Sequence, residues 1–260
     1  MVLSGMPMAA PVVIIYDDPY AMAVKAADLV IQAAHEAVAG QGRFTFVLSG
    51  GSTPQKTYNL LAEPIRASAI DWTHTFLFFG DERFVSEADP RSNFGMVRRN
   101  LLELAPIPAL NVFPISTKLH SAAEAAVAYT LQLSEYFSPS ERAIPPRFDL
   151  IFLGLGSDGH TASLFPFADA LDVKDAWATW THPGTSSPPV DRITLTFPVL
   201  NAARQVVFLV SGKNKAAALR DILEGQALPE YRPAAGVQPV DGTLTWLVDK
   251  EAALLLTQRY

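Results

Sequence analysis

Short apolar runs recur along the chain, and between them the apolar positions fall at helical spacing. Val12–Tyr16, Phe44–Leu48, Trp72–Phe79, Asn111–Ile115, Phe148–Leu153, Arg192–Phe197, Gln205–Val210 and Leu244–Val248 read as strands. Runs such as Phe148–Leu153 are apolar throughout, the pattern of a strand buried on both faces. An Ala-rich helix is predicted from Pro19 to about Ala39, closed by Gly40. Thr53 as N-cap, with Pro54 at the first helical position, opens the next helix. Ser92 caps a helix containing Met96, Leu101 and Leu102, and Ser121-Ala122-Ala123-Glu124 is a capping box for a helix to Phe137. Ser211 to Lys215 leads into a helix through Leu223, and a short apolar helix ends the chain. The stretches 138–147, 182–189 and 229–239 carry proline and turn residues and read as loops. Strands alternating with helices predict an α/β fold with a mainly parallel sheet and helices on both faces. No repeat, linker or shift in composition interrupts the pattern, so residues 1–260 read as one α/β domain with a flexible stretch at 1–10.

Composition narrows what this fold can do. Of 260 residues, 49% are hydrophobic and 18% charged, ample for a core and unlike a disordered chain. The net charge is −6 and no basic run tracks nucleic acid, so a small anionic ligand would need local cations. The absence of cysteine removes disulfides, thiolate nucleophiles and Cys-ligated metals together. No apolar run reaches the roughly 18 residues of a membrane span. Met1 to Pro11 lacks the basic-then-apolar pattern of a secretory signal. The expectation is a cytoplasmic enzyme or ligand-binding protein, monomeric or weakly homo-oligomeric, with no membrane or nucleic-acid partner.

Two glycine-rich turns follow apolar strands. Ser49-Gly50-Gly51-Ser52-Thr53-Pro54 offers free backbone N–H groups at a helix start, which suits a phosphate. It falls short of a nucleotide-binding P-loop because Gln55 replaces the required glycine and Pro54 lacks an N–H. An ordinary βα turn and a sugar-phosphate site both remain open. Gly154-Leu155-Gly156-Ser157-Asp158-Gly159 formally fits a dinucleotide fingerprint, yet Pro166 interrupts the helix that should follow. A nucleophile elbow fails too, with Leu155 in place of its first glycine. His160 then stands out. It is either a loop-capping histidine or a general base oriented by Asp158, with Gly159 leaving room for a ligand. Asp81, Glu82 and Arg83 form either a self-paired turn or a site in which Arg83 steadies an oxyanion. Arg192, Lys213 and Lys215 lie at strand ends, serving solubility or a phosphate dianion. His35, His74, His120 and His182 show no metal-ligand spacing.

Taken in order, SGGSTP, GDERFV with SNFGMVRRNLL, DLIFLGLGSDGHTASLFP and RITLTFPVLNAARQVVFLVSGKNKA resemble the 6-phosphogluconolactonase family over roughly residues 12–250. The resemblance implies a Rossmann-like, deaminase/ribose-5-phosphate isomerase-like fold. It also implies hydrolysis of 6-phospho-D-glucono-1,5-lactone in the oxidative pentose phosphate pathway, with no metal or cofactor. On that basis His160, Asp158, Arg83 and Asp81 are the expected catalytic residues. Ser49, Gly50, Gly51, Ser52, Thr53, Arg192 and Lys215 are expected to hold the phosphate. The related glucosamine-6-phosphate deaminases carry a glutamate five residues after the histidine, where this chain has Phe165, and Asp-Glu-Tyr in place of Asp81-Glu82-Arg83. A non-catalytic sugar-phosphate sensor is a further alternative.

Overall fold

The apolar runs pair as a parallel sheet because their side chains bury on both faces and the intervening segments are long enough to cross back. A computed structural model describes residues 11–137, 144–184 and 188–260. The expectations for residues 1–10, 138–143 and 185–187 lie outside the described residues. In chain order the elements are β1 (Val12–Tyr16), α1 (Pro19–Gln41), β2 (Phe44–Leu48), α2 (Ser52–Leu61), α3 (Pro64–Ala67), β3 (Thr75–Phe79) and β4 (Asp81–Arg83). Next come α4 (Asn93–Val97), β5 (Val112–Phe113), α5 (Ala122–Phe137), β6 (Leu150–Gly154), β7 (Ala178–Thr181) and β8 (Arg192–Leu195). The last are α6 (Phe197–Ala202), β9 (Gln205–Val210), α7 (Ala216–Leu223) and β10 (Thr243–Asp249).

Seven strands form the parallel sheet in the order β1-β10-β9-β6-β2-β3-β5. Every residue of β2 is buried, so both faces at the sheet's centre are covered. Aromatic rings fill that centre. Phe46 meets Phe152 edge-on at 4.8 Å, and Phe208 stacks on Trp246 at 3.9 Å. From β2 the chain moves to β3, whereas from β6 it reaches β9 on the other side. The loops leaving β2 and β6 therefore diverge, and a crevice opens between the carboxyl ends of these two neighbours.

A second, antiparallel sheet has the order β4-β8-β7. It corrects two expectations. Asp81–Arg83 is a strand and not a turn, and Arg192–Leu195 pairs with it in register, Arg83 opposite Arg192. Phe197 begins α6 instead of ending a strand. Other expectations shift as well. Helix α1 runs on to Gln41 because Gly42, at φ 76°, adopts the left-handed cap and donates to Val38 O; Gly40 is an ordinary helical residue. Trp72–His74 is a single 3₁₀ turn capped by Asp71, with the strand starting at Thr75. The expected C-terminal helix is a set of turns over residues 250–255. Ser92 caps α4 as expected, its Oγ accepting from Gly95 N–H at 3.0 Å.

Candidate active site

Four adjacent parallel strands, β9, β6, β2 and β3, end at one edge of the sheet, and the residues after each converge on a cleft of about 410 Å³. After β2 come Ser49 to Thr53. Gly51, at φ 98°, is the N-cap of α2, and this is the backbone setting that only glycine adopts without strain. Thr53 is consequently not the cap but a residue of the first turn, with Ser52 preceding it. No side chain caps this first turn, and its Ser52 and Thr53 line the cleft, a setting in which uncapped N–H groups suit an anion.

Two buried tyrosines fix this edge, and nothing in their spacing announces it. The Tyr58 hydroxyl donates to Ser49 O and accepts from Ser49 N–H, both at 2.9 Å. Tyr129 does the same for Phe79 O and N–H at 3.0 Å, at the end of β3. Each phenol thereby satisfies both backbone groups of a residue where a strand leaves the sheet. Burial pushes both phenols well above the usual tyrosine range, so they remain neutral donors.

After β6, the chain turns at Gly156 and returns through His160, with His160 O accepting from Gly156 N–H at 2.8 Å. The His160 ring lies in the cleft wall, and its Nδ1 is 2.6 Å from Asp158 Oδ1. An ionised carboxylate can only accept, so Nδ1 carries a proton, and in the neutral ring Nε2 is the acceptor. Burial alone would raise the Asp158 carboxyl; the hydrogen bond and charge of His160 outweigh it and hold it at about 2. Phe165 packs on the imidazole at 4.7 Å between centroids. His74 and His182 also pair with aspartates, at 2.8 and 2.9 Å, but both are more than half exposed and neither lines this cleft.

After β3, Asp81 and Arg83 line the cleft, brought there by the pairing of β4 with β8. Asp81 Oδ2 accepts from Ser163 Oγ at 2.6 Å and Oδ1 from Asn93 Nδ2 at 3.2 Å. Arg83 Nη1 donates to Arg91 O at 2.5 Å. Glu82 points away and is buried. It accepts from Arg83, Asn93 and Phe94 N–H, each at 2.7 Å, and from Ser92 Oγ at 3.1 Å. Burial raises its carboxyl despite these donors. Asn93 was not expected here. It lines the cleft, and its Nδ2 also donates to Asp81 O at 2.9 Å, so its amide oxygen turns toward Gly50, where a Cβ would lie 1.9 Å away.

After β9, Ser211, Asn214 and Lys215 complete the wall. Of the two lysines in this turn it is Lys215 that lines the cleft. Burial lowers its ammonium, with the charge of Asp158 opposing. Arg192 differs from expectation. It does not end a strand at the cleft but begins β8 almost fully buried, 3% exposed, opposite Arg83. Its Nη2 donates to Pro188 O at 2.9 Å, while Nε and Nη1 have no acceptor among the described residues.

Such a sheet, with its cleft at the carboxyl edge and amides, cations and an imidazole inside it, is a Rossmann-like α/β fold of the class that takes small anionic ligands. The sequence profile of the family described as glucosamine-6-phosphate isomerases/6-phosphogluconolactonase matches residues 17–246, and the chain belongs to this family. It is 42% identical to a 6-phosphogluconolactonase of Synechocystis sp. over 84% of this chain and 86% of that one. A human 6-phosphogluconolactonase is 39% identical over 96% of each chain. The solved 6-phosphogluconolactonase from Trypanosoma cruzi superposes with a TM-score of 0.85 at 30% identity, covering 97% of this chain and all of that one (100%). Among the described residues, no helix is long and apolar enough to cross a membrane.

Proposed function

We propose that the chain hydrolyses 6-phospho-D-glucono-1,5-lactone to 6-phospho-D-gluconate, in the cytoplasm, as a monomer or weakly associating homo-oligomer. The observation that carries this reading is His160, hydrogen-bonded to Asp158, lining one cleft with the uncapped turn Gly50 to Thr53 and with Lys215. In this reading the amides, the Ser49 or Ser52 hydroxyl and Lys215 take the 6-phosphate, and Arg192 adds charge from behind Arg83. The lactone carbonyl then lies against loop 154–160. His160 Nε2 accepts a proton from water as the water oxygen bonds to C1 and the carbonyl electrons move to its oxygen. Arg83 stabilises that oxyanion, and Asp81 holds the site's polar frame with Ser163 and Asn93. As the carbonyl re-forms, the bond from C1 to the ring oxygen breaks and Nε2–H returns the proton to the departing oxygen. Asp158 keeps the ring in the right tautomer. Phe165 on the imidazole leaves no carboxylate there for amine chemistry, which favours a lactonase over a deaminase.

His160→Ala is expected to lower kcat by about 10²–10⁴-fold with KM little changed. Progress curves corrected for spontaneous lactone hydrolysis measure it, and a wild-type kcat in the variant would reject the assignment. Release of ammonia from glucosamine 6-phosphate would favour the deaminase, and binding without turnover a sensor.

A further inference from the structure

The loop that carries both His160 and Asp158 is only partly held by the sheet. Thr161 Oγ1 ties its end to Gly154 O at 2.9 Å, and the Gly156 and Gly159 N–H groups bond within the loop, to His160 O and Gly156 O. Its outer side is held by residues 228–234. Arg232 Nη1 donates to Asp158 O at 3.1 Å, and Ala234 N–H to Gly159 O at 2.9 Å. Gly159 has φ 86°, and a Cβ there would fall 2.3 Å from Arg232 Cδ, so the arginine stem lies directly on the glycine. The other end of the guanidinium, Nη2, donates to Asp221 Oδ2 at 2.9 Å. Asp221 belongs to α7, the helix that begins immediately after Lys215.

We infer that Arg232 is a positioning residue, a strut that sets the distance between the His160 loop and the helix that follows Lys215. The inference rests on the lactonase reading. In that substrate the carbon skeleton fixes how far the carbonyl stands from the phosphate. The base and the phosphate site must keep a matching separation, and an error of about 1 Å can cost about 10²-fold in rate. A planar guanidinium suits the task because two separate nitrogens donate in different directions from one rigid fork, whereas the donors of an ammonium share one nitrogen on a flexible stem. Asp221 also binds Arg220 Nη2 at 2.9 Å, so removing Arg232 leaves no bare carboxylate and the fold is expected to survive.

Arg232→Met keeps an apolar stem over Gly159 and removes both directed bonds. Its kcat should fall at least about tenfold while KM stays within about twofold, since the amides and Lys215 are untouched. Arg232→Lys, able to make one of the two bonds, should recover part of the loss. Asp221→Asn attacks the strut from its other end and should lower kcat in the same sense with a near-native melting temperature. A wild-type kcat in Arg232→Met, or losses in all three variants that simply follow the folded fraction, overturns the inference. If the wild-type protein hydrolyses the lactone and Arg232→Met does so equally well, only the strut falls. If the wild-type protein does not hydrolyse it, the functional reading falls and the strut with it.

Discussion

At Gly156 one methyl group has unusual leverage. A Cβ there would lie 2.1 Å from His160 Nδ1 and 2.5 Å from Asp158 Oδ1, inside the hydrogen bond that orients the imidazole. Gly156 itself is not in the left-handed region, so alanine strains no backbone dihedral; the nearest atoms it would meet belong to His160 and Asp158, the pair proposed to be catalytic. Gly156→Ala should therefore lower kcat by about 10–100-fold, leave KM near its native value and shift the melting temperature little. Steady-state kinetics beside a thermal melt separate these effects. A proportionate fall in kcat and folded fraction would mean that the glycine serves the fold and not the base. Gly51 and Gly159 are different: at Gly51, φ 98°, the need for glycine lies in the backbone, since a Cβ would meet nothing within 4 Å, whereas at Gly159 φ 86° adds to the crowding by Arg232.

Among the elements, α4 shows how a buried charge can shape a site it does not touch. Glu82 sits in β4, yet its carboxylate receives the first N–H groups of α4, and through Asn93 it reaches Asp81 and Gly50. Glu82→Gln would turn an NH₂ group toward donors now facing a carboxylate oxygen. A destabilisation of about 2 kcal/mol is expected in urea unfolding, together with a raised KM as Asn93 and the 50–53 turn loosen. Unchanged stability would show that the carboxylate is dispensable to α4. The sequence makes some of this legible and hides the rest for physical reasons. Turns after β2, β6 and β9 are visible because glycine and polar residues follow apolar runs, the local grammar of a βα junction. Asp81-Glu82-Arg83 has no apolar period; its strand state comes from pairing with residues 192–194, far along the chain. Tyr58 and Tyr129 look like core aromatics, and only their hydroxyl contacts reveal them as locks on strand ends. Gly40 and Gly42 are equally good helix stops by composition, and only the bond from Gly42 N–H to Val38 O distinguishes them.

Across the whole molecule, charge is distributed against the average. The chain carries a net charge of −6, yet Arg83, Arg192 and Lys215 gather on one side of the sheet's carboxyl edge. Arg192 shows the consequence most clearly. Burial, then the neighbouring Arg83, pushes its guanidinium down to about 10, with Asp81 and Glu82 only partly opposing. A base whose folded value lies below its unfolded one destabilises the fold wherever it stays charged. The penalty is thus complete at neutral pH and eases only as pH rises through about 10. Two of its nitrogens also lack acceptors among the described residues, which adds the cost of unsatisfied burial. Such a group is tolerable if an anion arrives to answer it. Arg192→Met should then raise the melting temperature of the free protein by about 3 °C, because an apolar chain replaces a buried charge that is only partly compensated. In the wild type, 6-phosphogluconate should raise the melting temperature through preferential binding to the folded state. In Arg192→Met that ligand-dependent rise should shrink, and KM for the lactone should increase with kcat less affected. A thermal-shift series over ligand concentration reads both effects in one experiment. If the variant melts lower than wild type without ligand and keeps the full ligand response, Arg192 braces β8 and plays no part in holding the phosphate.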